Sequence, residues 1–372
     1  MSENLSALHS RFVIDGVQQE LTPARILENL REGFALPPEE PCGLVGRIVD
    51  DSPSPSLSTA TTDPAMAGKY LSSVMRASRK ASPLFAAQCT RVQLEKALLD
   101  CIWRMGHFGL GDLCVDACWT WSDSGVGMMA GLYASVQAAA ELLEALGVGI
   151  RYYSEEKGKA GVTFTADLRP VADDAVVEVP FGSGKPRISA ASLPSVLTPD
   201  PASWIVYIPF DTSLYRLGGS LLAQALKISP PVAPEVNDPD YFLDCYEVLR
   251  ELVEDGILLS GATVADGGLL TAVRGMTGGR TGAEIDISDL RRATGENDIV
   301  RLLFSEVPGA IVQIRDIDFD YLDAELLLQD VAFYPLGHPV PGGGVKVRES
   351  DKSGIQNILE ALIRKQSGEG ED

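Results

Sequence analysis

The sequence predicts a protein of mixed helices and strands divided into two domains, and three observations lead to this prediction. The chain has 372 residues, of which 45% are hydrophobic. This exceeds the about 250–300 residues that one hydrophobic core usually accommodates. Segments with apolar residues at every second position, typical of strands, alternate with segments of helical apolar spacing. Both patterns occur in both halves of the chain, so each domain is expected to contain helices and strands.

Residues 1–40 are predicted to be an appendage. Within them, Thr22 is a suitable N-cap and Pro23 a suitable first residue for one short helix. Residues 41–70 are rich in Pro, Ser, Thr and Asp, and residues 50–56 are expected to form an exposed loop. A long helix is predicted from about Val92, because its apolar residues share one face that can pack on a sheet. Those residues are Leu94, Ala97, Leu98 and Ile102.

The pattern that follows is a strand leading into a packed helix. Cys114–Trp121 alternates as a strand does, and Gly131–Leu146 has small and apolar residues at helical spacing. Trp119 and Trp121 are two positions apart on this strand and therefore share a face, which favours core or interface packing over base stacking. Further strands are predicted at residues 162–168, 175–180 and 204–210.

A domain boundary is predicted near residue 200, where Pro199-Asp200-Pro201 favours a turn. The predicted organisation is an appendage (1–40), two domains (41–200 and 201–345) and a C-terminal helix with an acidic tail (346–372), the tail starting near Gln366. In the second domain, helices are expected at residues 219–226 and 241–255, and strands at residues 258–262 and 311–314.

Composition argues against several classes of function. The formal net charge is -21, which repels nucleic acid and anionic membrane surfaces, and no apolar run approaches the about 18 residues that span a membrane. The six cysteines lack CxxC or zinc spacing, so reduced thiols in a cytoplasmic protein are expected. The three histidines, His9, His107 and His338, have no acid or nucleophile at a catalytic spacing.

Two glycine-containing turns are the candidate binding elements. Gly218, Gly219 and Ser220 open a predicted helix, and glycine allows backbone N–H groups to approach a phosphate there. The same glycines could instead allow close packing of a strand on a helix, and both alternatives remain open. The second turn contains Asp266, Gly267 and Gly268 in the sequence Thr-Val-Ala-Asp-Gly-Gly-Leu.

The order and spacing of these runs resemble the C-terminal half of large phosphoribosylformylglycinamidine synthase. The resemblance includes Lys96–Trp103, Ala117–Trp121, Arg216–Ala225, Asp266–Leu269 and Leu303–Ile314, and it extends over about residues 41–340. It implies an α+β fold of the aminoimidazole ribonucleotide synthetase (PurM) type. In that fold, an N-terminal domain presents a sheet that pairs with another copy, and a C-terminal α+β domain caps a nucleotide cleft.

The positions that hold magnesium in that family have changed in this chain. The resemblance places the family's His-Asp pair at Ala262 and Thr263, and its helical Glu and Asn at Lys96 and Asp100. Alanine and threonine supply no carboxylate, and a lysine ammonium repels a cation. Magnesium binding in the family manner is therefore not expected, and no catalytic or metal-binding residue is predicted.

The family's Gly-Lys-Asp-Ser loop is replaced by a charged sequence that includes Gly158 and Lys159. Lys159 could aim a cation at an anion, although a solvated turn is the more frequent role of a lone Gly-Lys pair. Candidate ligand contacts are thus Gly218, Gly219, Ser220, Asp266, Gly267, Gly268 and Lys159.

Two functions from different classes remain open. The first is a non-catalytic, structural protein that pairs its N-terminal sheet with itself, as a homodimer, or with a synthase-like partner chain. The second is an ATP-dependent carbon–nitrogen ligase subunit of a split synthase in purine biosynthesis. Only the second would use ATP or ADP with magnesium.

Overall fold

A computed structural model describes most of the chain. The described residues are 6–31, 43–47, 64–80, 82–105, 108–122, 124–169, 192–228, 230 and 232–348. The predicted strand at 175–180, the predicted loop at 50–56, His107 and the C-terminal helix and tail lie outside this part or almost wholly outside it. None of the helices in the described residues is long and apolar enough to cross a membrane.

The N-terminal segment forms a small three-stranded sheet and one helix. Its elements are β1 (Arg11–Ile14), β2 (Val17–Gln18), α1 (Pro23–Glu28) and β3 (Gly43–Gly46), with strand order β2-β1-β3. The predicted helix cap is confirmed, because the Thr22 side chain accepts a hydrogen bond from the Arg25 N–H. Phe12 and Leu27 are completely buried in the main core. The segment therefore belongs to the packed body of the protein.

A second three-stranded sheet packs against two long helices. Helix α2 (Pro64–Val74) precedes them in the chain, and the sheet has the order β5-β4-β6. Its elements are α3 (Ala86–Met105), β4 (Leu113–Trp121), α4 (Met128–Ala145), β5 (Gly149–Lys157) and β6 (Gly161–Leu168). Helix α3 begins six residues before the predicted start at Val92, because its first turn also packs into the core through Ala86.

The two faces of the β5-β4-β6 sheet differ in character. Trp119 and Trp121 point inward and are buried, and the Trp119 indole N–H donates to Ser135 on α4. The outward face carries Tyr152, which is 65% exposed, and the exposed Thr163 and Thr165. The Arg151 guanidinium lies 5.7 Å from the centre of the Tyr152 ring, and most of this tyrosine stays exposed to solvent.

The C-terminal half is organised around a six-stranded sheet with the order β12-β9-β11-β7-β10-β8. Its strands are β7 (Trp204–Pro209), β8 (Leu258–Val264), β9 (Thr281–Asp286), β10 (Gly309–Ile314), β11 (Tyr334–Pro341) and β12 (Val345–Arg348). Most pairs are antiparallel, and β12 runs parallel to β9.

Helices cover both faces of this sheet. They are α5 (Leu221–Leu226), α6 (Pro239–Glu254), α7 (Gly268–Met276), α8 (Ser288–Thr294), α9 (Ile299–Phe304) and α10 (Asp316–Leu328). Side chains of β7 alternate between two cores: Val206 contributes to the core shared with α3, α4, α6 and α10, whereas Tyr207 contributes to the core with α2, α5, α7, α8 and α9. The first core thus joins the β5-β4-β6 sheet to one face of the larger sheet. The predicted domain boundary near residue 200 stays a prediction.

Candidate functional site

The Asp266-Gly267-Gly268 turn connects β8 to α7. Gly267 and Gly268 have φ values of 78° and 74°, a left-handed conformation that is costly for residues with a Cβ. A Cβ on Gly268 would lie 2.6 Å from the Phe304 Cα. Both backbone shape and space therefore require glycine, and the turn brings its N–H groups close to the residues that follow α9.

The Gly218-Gly219-Ser220 turn opens α5. A Cβ on Gly218 would lie 2.5 Å from the Val232 carbonyl carbon, and Gly219 has a φ of 71°. Ser220 is the N-cap, because its hydroxyl accepts from the Ala223 N–H. Close packing against Val232 thus explains why residue 218 is glycine, and helix capping explains why a serine is buried at position 220.

Both turns converge on one carboxylate, that of Glu306. Its Oε1 atom accepts hydrogen bonds from the Gly267 N–H at 2.8 Å and from the Leu221 N–H at 2.9 Å. Glu306 is only 4% exposed. Backbone N–H groups at turns of this kind can also bind phosphate oxygens. Here a side chain of the protein itself takes the position of the anion.

Arg79 connects Glu306 to Asp266. Its guanidinium donates to the second carboxylate oxygen of Glu306, and its Nε donates to Asp266 Oδ1 at 2.6 Å. Asp266 Oδ1 also accepts from the Gln93 amide at 2.8 Å. Burial disfavours the charged guanidinium, but the two carboxylates outweigh this effect and raise the pKa of Arg79. The arrangement is a compact, charge-paired cluster.

Cys89 lies beside this cluster. Its sulfur is 3.9 Å from the Arg79 guanidinium and 3.8 Å from the Gly219 carbonyl oxygen. Burial raises the pKa of the Cys89 thiol to about 11, and Arg79 opposes that rise only in part. The thiol is therefore protonated at neutral pH and is a poor nucleophile.

A pocket of about 310 Å³ opens next to Arg79, between α3 and the end of the β5-β4-β6 sheet. The exposed Lys80 and Lys159 are part of its wall, together with Thr120, Thr163 and Asp266. The structure therefore places Lys159, on the turn between β5 and β6, in the same pocket as Asp266.

A separate polar network occupies the positions where the family resemblance places magnesium ligands. Lys96 forms a 3.1 Å ion pair with Asp100, and the Thr263 hydroxyl donates to the other oxygen of Asp100 at 2.7 Å. The Trp103 indole N–H donates to Thr263 at 2.8 Å. Both oxygens of Asp100 are thus engaged within the protein, and one carboxylate beside an ammonium does not match the oxygen-rich ligand set of Mg²⁺.

In the described ranges, no three His, Cys, Asp or Glu side chains are grouped so that they could hold a metal ion. His338 lies away from the glycine turns. Its Nδ1 is 2.9 Å from the Ser203 carbonyl oxygen, and its ring is 4.1 Å from that of Trp204.

The sequence identified both glycine turns, but it did not reveal what links them. Arg79, Gln93 and Cys89 carry no motif, and in the sequence Arg79 is one of several scattered basic residues. Glu306 agrees with the family pattern, but sequence alone does not show which N–H groups its carboxylate accepts from. The contact between Arg79 and Glu306 joins residues 227 positions apart.

Comparisons with known proteins agree with the resemblance found in the sequence. The chain is 26% identical to human "Phosphoribosylformylglycinamidine synthase" over 210 residues, which are 56% of this chain and 15% of that protein. It is 25% identical to the Drosophila melanogaster protein of the same name over 269 residues, which are 68% of this chain and 19% of that protein. The match therefore spans less than a fifth of either relative. No family model matches the chain.

Among solved structures, "T. maritima PurL complexed with FGAR" has a TM-score of 0.50 and 12% identity. The match covers 70% of this chain and 40% of that chain. A likeness at this identity shows the fold, and it confirms the α+β, PurM-like architecture implied by the sequence resemblance.

Proposed function

We propose that this chain, a diverged PurL-like and AIR-synthase-like protein, is non-catalytic and has a structural or subunit role. It acts by pairing the outward face of its β5-β4-β6 sheet with a second copy or with a synthase-like partner chain. The proposal includes the cytoplasmic location expected from the cysteine pattern.

One observation carries the non-catalytic part of the proposal. The N–H groups of Gly267 and Leu221, the donors best placed to hold a phosphate, already bind the Glu306 carboxylate. A triphosphate would have to displace a buried carboxylate that is also paired with Arg79. Leaving that carboxylate buried without its partners costs several kcal/mol, on the order of 3–5. Such a cost disfavours a phosphate on these two N–H groups, and the Lys96–Asp100 ion pair at the positions matched to magnesium ligands disfavours a metal-bound nucleotide.

The second candidate is an ATP-dependent subunit of a split phosphoribosylformylglycinamidine synthase. The observation in its favour is the pocket beside Asp266, where Lys80 and Lys159 supply two cations. ATP or ADP with magnesium would be required in this case, and the reaction would be the carbon–nitrogen ligation that the family resemblance implies.

A thermal-shift titration separates the two candidates. A ligand present at 100 times its Kd stabilises the folded state by about 2.7 kcal/mol, which raises Tm by about 3 °C or more. We expect no change in Tm with ATP or ADP at millimolar concentration, with or without magnesium. Magnesium alone and ATP with a chelator serve as controls. A saturable rise in Tm that requires both nucleotide and magnesium would support the ligase subunit instead.

Sedimentation velocity tests the pairing. We expect the full chain to sediment as a dimer and the variant Tyr152→Asp to shift towards monomer, because the new charge lies at an exposed position of the outward face. Leu214→Asp is the matched control, since it places the same charge at a residue that is 62% exposed in the C-terminal half. A wild-type monomer at every concentration would contradict self-pairing, and equal effects of both variants would contradict this choice of face.

A further inference from the structure

Helix α3 carries a buried glutamate near its middle. Glu95 is only 1% exposed, and among the described residues its Oε2 atom has no hydrogen-bond partner. A buried ionised carboxylate is strongly disfavoured unless hydrogen bonds or a cation compensate its charge. The buried carboxylate of Glu306 has such compensation, from two N–H groups and from Arg79. The Oε2 atom of Glu95 lacks it, so burial favours the neutral form of this side chain.

The charged groups that face Glu95 also favour its neutral form on balance. Burial, together with repulsion by Asp211 and Asp238, raises the pKa of Glu95 well above its ordinary value. Arg91, one turn earlier on α3, opposes this rise, but its guanidinium is ion-paired with Glu141 on α4 at 3.0 Å. We therefore expect Glu95 to keep a proton in the folded protein at pH values where an exposed glutamate has lost its own.

The other elements packed here supply no cation for a charged Glu95. Helix α6 contributes the Cys245 thiol, and burial raises the pKa of this thiol, so it is uncharged at neutral pH. The turn between β8 and α7 contributes Ala265, which is apolar and buried.

Residues 232–238, which lead into α6, pack over this side of α3. Val236 is completely buried and clusters with Val92. Val92 is three positions before Glu95, so the two side chains share one side of the helix. Glu95 therefore lies beneath segment 232–238.

The carboxylate of Asp211 holds this segment in place. It accepts hydrogen bonds from the N–H groups of Asn237 at 3.0 Å and Asp238 at 3.2 Å. Its other oxygen accepts from the Ser213 N–H at 2.7 Å. A charge on Glu95 would thus repel the same carboxylate that ties the segment to the loop after β7.

The segment also contacts one of the two candidate binding turns. The Val232 carbonyl oxygen, at the start of the segment, accepts a hydrogen bond from the Gly218 N–H at 2.8 Å. Opening of the segment would remove this contact and change the surroundings of the Gly218-Gly219-Ser220 turn.

We propose that Glu95 is a proton-controlled switch for segment 232–238. While Glu95 is protonated, the segment packs on α3. As pH rises, the proton passes to solvent, the charged carboxylate repels Asp211 and Asp238, and the segment opens. This switch is independent of the proposed pairing of the β5-β4-β6 sheet.

The direction of the pH dependence follows from the raised pKa. The closed state keeps a proton that the open or unfolded state releases, so stability is complete below the ordinary glutamate pKa of about 4.3 and is lost as pH rises. Each pH unit above this value favours opening by up to about tenfold, until the pKa of the closed state is reached.

Hydrogen exchange of the full chain tests the switch. Between pH 6 and pH 8, protection factors of the Asn237 and Asp238 amides, corrected for intrinsic exchange, are expected to fall at least about tenfold in the wild type. In Glu95→Gln, which keeps the shape of the protonated side chain but has no proton to lose, they should stay constant. The wild-type measurement requires no variant, so it remains decisive even if this substitution prevents folding.

Urea unfolding over pH 5–8 gives a second readout. The unfolding constant of the wild type relative to Glu95→Gln is expected to rise by up to about tenfold for each pH unit. Glu144→Gln is the matched control, because it removes an exposed carboxylate from α4. The wild type relative to this control should show a constant ratio over the same range.

Three results would overturn the proposal. A ratio of wild type to Glu95→Gln that does not change with pH would mean that Glu95 is already ionised in the folded protein. Constant protection of residues 237 and 238 in the wild type would mean that the proton does not control the segment. An equal loss of protection in Glu95→Gln would assign the pH dependence to another group.

Discussion

Replacing Arg79 by methionine is expected to lower the free energy of unfolding by about 2–4 kcal/mol. The side chain of Arg79 is 19% exposed and pairs with Asp266 and with Glu306, whose side chain is 5% exposed. Methionine retains much of the apolar volume but leaves the Glu306 carboxylate buried without a cation. Urea unfolding followed by far-UV circular dichroism gives the free energy directly.

Arg76→Met is the control for this variant, because Arg76 is exposed in the same segment after α2. It removes one arginine without unpairing a buried acid, and surface substitutions of this type usually change stability by about 0.5 kcal/mol or less. Similar losses in both variants would show that the Arg79 contacts do not hold the cluster together.

Gly268→Ala is expected to lower the free energy of unfolding by about 2–5 kcal/mol, the sum of left-handed backbone strain and overpacking. The new Cβ would lie 2.6 Å from the Phe304 Cα and 2.7 Å from its carbonyl carbon. These are backbone atoms and cannot rotate away, so the turn or α9 must shift.

Gly275→Ala, in the same helix α7, gives a control of opposite sign. Gly275 has no atom within 4 Å of an added Cβ and no positive φ. Alanine is the better helix former, so this variant should be about 0.5–1 kcal/mol more stable. Chemical denaturation of both variants measures the contrast, and a neutral Gly268→Ala would contradict the described geometry of the turn.

Sequence patterns predicted the elements whose apolar periodicity is strong. The long helix before β4, the strand with Trp119 and Trp121, and the cap at Thr22 followed from residue spacing and from local hydrogen-bonding chemistry. Boundaries were less accurate: β8 extends to Val264, two residues beyond its predicted end at residue 262, and residues 265–267 connect it to α7. Pairing with β10 extends the strand there, and that information is not local.

The interior of the candidate site was not predictable to the same degree. Glycine spacing indicated where N–H groups would be free to bind an anion, but the anion is supplied by Glu306, which is distant in sequence. Similarly, the sequence showed Lys96 and Thr263 at positions where the family has magnesium ligands. That both side chains contact Asp100 was seen only in the structure. Contacts between residues far apart in sequence depend on the packing of the two halves, which periodicity does not specify.

The most direct test of the central claim is a crystal structure of the chain soaked with magnesium and a non-hydrolysable ATP analogue at millimolar concentration. We expect the Glu306 carboxylate to stay on the N–H groups of Gly267 and Leu221, with Arg79 beside it and no phosphate density at the glycine turns. A triphosphate bound to those N–H groups, with Glu306 displaced and an ion held by carboxylates, would contradict it.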